Sequence, residues 1–192
     1  TPMATRYPAI DEKHRRFIER QHVFFTASAA EGTRVNLSPR GTDSFRILTP
    51  NRVVYLDRTG SGNETAAHMK ADGRLTIMFC AFEGPPNILR LYGRGRVVHR
   101  GTGEYAALLS ERFAGNEPLG TRQFMVQDID LVQTSCGYGV PFLEYKGERP
   151  SMDNWAENKG ADGLLAYQRE KNVTSMDGLP TGLFEEAPIP AG

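Results

Sequence analysis

An excess of charge of either sign is missing from this chain. Its 192 residues hold 23 Lys and Arg against 23 Asp and Glu. No global basic field exists to hold a nucleic acid or an anionic membrane surface. Cysteine is nearly missing: Cys80 and Cys136 form no CxxC pair and no disulfide framework. Cys80 lies inside the apolar run LTIMFCAF and reads as a packed core thiol. The four histidines are scattered, and the spacing of His14 and His22 is not a ligand spacing, so no metal centre is expected. No apolar run approaches the ~20 residues of a membrane span. The opening stretch TPMATRYPAI holds no apolar signal region. The expectation is a cytoplasmic protein of one domain with an appended segment, long enough to bury its own core.

What is present is a series of short strands. DEKHRRFIERQH (11–22) predicts a helix with Asp11 as its cap. VFFTASA (23–29), VNLSP (35–39), SFRIL (44–48), RVVYLD (52–57), RLTIMFCAF (74–82), ILRLYGRGRVVHR (88–100) and QFMVQDIDLVQTS (123–135) predict seven strands. Gly93 and Gly95 mark a bulge or a close backbone approach, and the apolar face of the last strand switches near Asp128. Helices are predicted at 63–73, 103–115 and 154–172, the last with a glycine break. A doubly wound sheet needs more crossover helices than these. The pattern predicts a mainly β (α+β) fold, an antiparallel barrel with peripheral helices. Residues 1–135 form the barrel domain. Residues 136–192 form a C-terminal extension, helical and then rich in Pro and Gly, packed on the barrel or on a partner.

The stretch TGSGNETAAH (59–68) joins a strand to a helix through small residues. It is neither a Walker A loop nor a dinucleotide fingerprint. A helix start offers unpaired N–H groups and a partial positive charge, and small residues let an anion approach them. A plain capped helix, with Asn63 or Ser61 as the cap, competes with that reading. Arg90, Arg94 and Arg96 share a strand face. Arg94 and Arg96 read as a solvated edge. Arg90 sits among apolar residues and needs a partner, either an anionic ligand or an acidic side chain.

The runs VNLSPRG, RVVYLDRTGSGNETAAHMKADGRLTIMFCAFEGPP and ILRLYGRG, in this order, resemble the FMN-binding split barrels related to pyridoxamine 5′-phosphate oxidase. The resemblance covers about residues 10–135. It implies an antiparallel split barrel that pairs as a homodimer, with FMN at the interface and a small-molecule substrate. Backbone groups of Val35, Asn36 and Leu37 would face the flavin edge. Ser38 and Arg40 would reach the ring or the phosphate, Tyr55, Leu56 and Asp57 would border the ring and ribityl chain, and Ser61, Gly62, Asn63 and Thr65 would take the phosphate. Arg40 or Arg90 would stabilise the reduced flavin. Gly62 and Asn63 stand where the family's oxidases place basic residues, so the phosphate would lean on backbone N–H groups, Arg40 or a partner arginine. The family's substrate-holding Arg-x-His is missing from GLPTGLFEEAPIPAG, so pyridoxamine phosphate itself is not expected. Tyr138 and Phe142 are candidates to cover a flavin face, and His68 reads as a solvent-facing helix residue. The resemblance implies an FMN-dependent oxidoreductase. A flavin carrier without turnover, or a barrel using a deazaflavin or haem, are the other readings.

Overall fold

The structure is a computed structural model and describes residues 4–185. The last seven residues of the expected C-terminal tail lie outside that range, as do the first three. Eight strands form one antiparallel sheet: β1 (Ala4–Tyr7), β2 (Val23–Ser28), β3 (Asn36–Gly41), β4 (Phe45–Thr49), β5 (Arg52–Arg58), β6 (Arg74–Cys80), β7 (Ile88–His99) and β8 (Thr121–Ser135). Helices α1 (Glu12–Glu19), α2 (Glu64–Ala71), α3 (Gly103–Phe113) and α4 (Ser151–Lys171) surround it. The strand order is β3-β2-β6-β7-β8-β5-β4, with β1 beside β8. The long β8 has β7 on one side. On the other side β5 takes its first half and β1 its last four residues. The curled antiparallel sheet with peripheral helices is the split barrel anticipated above.

Alternation sets which side chains fill it. In β2, Phe24, Thr26 and Ser28 are buried while Val23, Phe25 and Ala27 are half-buried, the period-two pattern of a strand with one face on the core. Phe24 packs against the rings of Phe45, Tyr55 and Phe79, the centre of the main core. A second core, holding Val54, Leu56, Phe124 and Val126, is covered by Tyr105 and Phe113 of α3. Gly93 sits where β7 and β8 shift register, with Tyr92 opposite Leu131 and Gly93 opposite Ile129. A Cβ there would meet the Asp128 carbonyl oxygen at 1.9 Å, so only glycine fits. At Gly95 a Cβ would meet the Met69 sulfur at 2.3 Å. Both strand glycines thus mark close approaches, and the face switch near Asp128 is this bulge.

Asp11 caps α1 in a reciprocal capping box with His14. The break in α4 is Gly160, with φ 66° and ψ 171°, a conformation essentially reserved for glycine. Among the described residues no helix is long and apolar enough to cross a membrane. Strand β1 was not anticipated, because ATRY carries no periodicity of its own. Beyond α4 the chain folds back as a small hairpin, with a bridge between Thr174 and Pro180.

Candidate functional site

Strand β3 is an edge strand, and its two faces divide the expected site residues. Opposite Phe24, Thr26 and Ser28 stand Arg40, Ser38 and Asn36, so these three project into the barrel. Val35 and Leu37 are 72% and 65% exposed, with Leu37 directed outward. Asn36 Nδ2 donates to Thr65 Oγ1 at 3.2 Å and lies 3.3 Å from Ser38 Oγ. Arg40 crosses to β5 and binds Asp57 Oδ1 at 2.7 Å, its guanidinium 4.8 Å from the centre of the Tyr55 ring. Arg90 projects the other way. It lies on the outer face in register with Met78 and donates to Ser135 Oγ at 3.2 Å, so its partner is a hydroxyl and not an acid. Within one chain it does not join the inner group.

Asp57 is fully buried and is the hub of a polar network. Besides Arg40, it accepts from Arg122 Nε at 2.7 Å and from Gln123 Nε2 at 2.9 Å. Burial alone would push its carboxyl up, but the charges of Arg122 and Arg40 outweigh that and hold it below the usual carboxylate range. Burial pushes the Tyr55 phenol up. Tyr55 and Leu56 lie wholly in the two cores and border no open cleft within one chain. Arg122 also donates to the carbonyl of Gly62 at 2.9 Å and to Asn172 Oδ1 at 2.8 Å, and Asn172 Nδ2 donates to the carbonyl of Gly60 at 3.0 Å.

This network decides how the loop before α2 presents itself. A trans peptide points its C=O and N–H in opposite directions. With the carbonyls of Gly60 and Gly62 turned to Asn172 and Arg122, the amides of Ser61 and Asn63 face the other way. Asn63 holds the N-cap position, yet its side chain makes no cap bond. It is spent on Gln123, at 2.8 Å, and on the Asn172 carbonyl, at 3.2 Å. The expected capped helix is therefore corrected: among the described residues the amides of residues 61–65 meet no protein acceptor. Such orphan donors beside Asn36, Ser38 and Thr65 suit an anionic group, and Arg34 lies two residues ahead of the same end of β3. His68, expected at the surface, is 1% exposed, and its Nδ1 lies 3.0 Å from Ser28 Oγ.

A family model described as "Pyridoxamine 5'-phosphate oxidase" matches residues 10–136. The chain belongs to the pyridoxamine 5′-phosphate oxidase family. Its similarity to the pyridoxamine 5′-phosphate oxidase family protein ustO of Aspergillus flavus is 37% identity over 192 residues, covering 91% of this chain and 76% of the relative. Among solved structures, HupZ of Group A Streptococcus superposes with a TM-score of 0.52 at 17% identity, over 64% of this chain and 91% of that one. A putative pyridoxamine 5′-phosphate oxidase of Lactobacillus delbrueckii gives 0.51 at 15% identity, over 66% and 94%. At these identities the structural likenesses establish the fold alone.

Within this family member, residues that the sequence did not single out do much of the positioning. Arg122 and Gln123 open β8 just ahead of its apolar FMV run, and that charged and polar pair is a signal that could have been read. Asn172 and Gln168 come from the far end of α4, and nothing local announces them. At the other end of β3, Arg40 also lines a cavity of about 1080 Å³ between α1, the loop 81–87 and the strap 143–149. There His22 stacks on Tyr145, with ring centres 3.7 Å apart. Tyr138 and Phe142 are 78% and 82% exposed. Cys80 is buried as expected, and burial pushes its thiol up.

Proposed function

We propose that this chain binds FMN and acts as an FMN-dependent oxidoreductase on a small molecule other than pyridoxamine phosphate. The observation that carries the reading is the uncapped start of α2, whose free amides stand beside Asn36, Ser38 and Thr65 in a member of this family. These groups would hold the phosphate. Bound FMN supplies the hydride chemistry itself. The chain's contribution is to fix the loop through Asp57, Arg122 and Asn172, so that its donors are aimed before the ligand arrives. The four residue steps of β3 from Asn36, at the α2 end, to Arg40, beside the cavity, span roughly 13 Å. That cavity is of the size that takes a small substrate.

The proposal includes a homodimer. Leu37, Ala27, Thr76, Tyr92 and Leu131 run in register across the outer sheet face, and Phe25, Met78 and Arg90 lie alongside. These positions are exposed or half-buried. Val35, Leu37 and Arg90 meet a ligand held by the inner group only if that ligand lies between two copies.

The test is the visible spectrum of freshly purified protein, followed by mass spectrometry of what heat releases. Flavin bands and FMN are expected. A colourless preparation that refuses FMN would end the reading, and a Soret band would replace it with haem binding. Reduction by a nicotinamide donor and reoxidation in air separates an enzyme from a carrier.

A further inference from the structure

The segment after α4 crosses the gap between the α2 start and the entry to β3. Its base is anchored: Asn172 is fully buried in the Arg122 network, and Thr181 donates to the Asn172 carbonyl at 2.7 Å and, through its amide, to Val173 at 3.0 Å. Its tip, Ser175–Gly178, is a tight turn closed by the Gly178 amide on the Ser175 carbonyl at 3.0 Å. The tip is held by two carboxylates. Glu64, in the first turn of α2, accepts from the Met176 amide at 3.0 Å. Asp177 accepts from the Arg34 amide at 2.9 Å and pairs with the Arg34 guanidinium. Those contacts hold the Asp177 carboxyl below its ordinary range. Gly178, with φ of 84°, ends the turn in a conformation that favours glycine and supplies the freedom a hinge needs.

We propose that this tip is a latch, and that the Asp177 carboxylate is an internal anion that a ligand's phosphate monoester displaces on entry. The inference rests on the reading of the adjacent gap as a phosphate seat. A dianion arriving at the free amides of residues 61–65 stands close to the carboxylates of Asp177 and Glu64. Repulsion between like charges then favours release of the tip. The buried base at Asn172 and Thr181 stays in place. Uptake is thereby gated by a contact that is exposed and weak, while the scaffold under it is buried and strong.

Stopped-flow mixing of the full chain with FMN, read by quenching of flavin fluorescence, compares the wild type with Asp177→Asn. The latch predicts association about fivefold faster in the variant, the scale of one exposed ion pair, with an unchanged circular dichroism spectrum. Equal or slower association in a folded variant overturns it. Should Asp177→Asn misfold, Glu64→Gln turns the charge-assisted bond from the Met176 amide into a weaker neutral one and carries the same expectation. Hydrogen exchange of the wild type with and without inorganic phosphate needs no flavin. Phosphate should speed exchange at the Met176 and Arg34 amides, which lose their carboxylate acceptors, and leave Thr181 protected, and unchanged exchange at both overturns the latch. A wild type that takes no FMN but releases the turn with phosphate sinks the flavin reading and keeps the latch.

Discussion

Replacing Asp57 by Asn removes one charge and almost no volume from the centre of the barrel. Two guanidiniums then face each other without the carboxylate between them: Arg122, itself 4% exposed, and Arg40, 19% exposed. An amide offers one acceptor oxygen where the carboxylate offered two, so at least one of the bonds from Arg40, Arg122 and Gln123 is lost. Breaking a buried pair in this way costs about 3–5 kcal/mol. For a chain of this length that is roughly 6–20 °C of melting temperature, at about 2–4 °C per kcal/mol. The assay is thermal and urea unfolding by circular dichroism, with wild type and variant at equal concentration. The pH dependence gives an independent check. A carboxyl whose folded pKa is depressed adds stability that is fully present above its unfolded value, ~3.9, and is lost as pH falls through the folded pKa. The gap between wild type and variant should be flat near neutrality and close only in acid, below about pH 4. A folded Asp57→Asn protein within about 1 kcal/mol of wild type at neutral pH would refute the account of Asp57 as the charge that holds both arginines.

Three further expectations use other parts of the molecule. Gly93→Ala drives a Cβ into the Asp128 carbonyl and should cost about 3 kcal/mol, measured by urea denaturation, because backbone on both strands has to move. Leu37→Glu places a charge on the exposed outer face of β3; if the proposed homodimer forms through that face, light scattering should shift toward monomer while the monomer stays folded, and a dimer unchanged by the substitution would exclude that face as the interface. Burial and the Glu117 carboxylate raise the Tyr105 phenol above its ordinary range. Ultraviolet titration should therefore show Tyr105, like the buried Tyr55, ionising after the exposed tyrosines, and Glu117→Gln should bring one of these two late ionisations forward.

The strands were legible because alternation is local: VFFTAS announces its inner face in six residues. The two strand glycines were legible for the same reason, since a missing side chain inside a strand has few explanations. The site was legible only in part, because its chemistry depends on partners far away in sequence. Asp57 lies in an apolar run, and what makes it tolerable there is Arg122, 65 positions later. Asn63 reads as a helix cap because Asn caps helices. The structure spends it on Gln123 and Asn172, and that diversion leaves the amides free. His68 was misplaced because α2 is short and built of small and polar residues, with no apolar stripe to show which side turns inward. Strand β1 exists only because the end of β8 offers it an edge.

That edge has a consequence for synthesis. Ala4 pairs with Ser135 and Tyr7 with Val132, so β1 waits for β8, the last of the eight strands, before it can dock. Strand β5 likewise waits for β8, and β7 waits for it too. On the ribosome, the β2–β3 ribbon and its β6 neighbour can assemble early. The remaining edges stay open until β8, ending at Ser135, has left the exit tunnel, and then β8 closes three pairings at once. A stall placed before that point should leave a nascent chain sensitive to protease, and one placed well beyond it a resistant one.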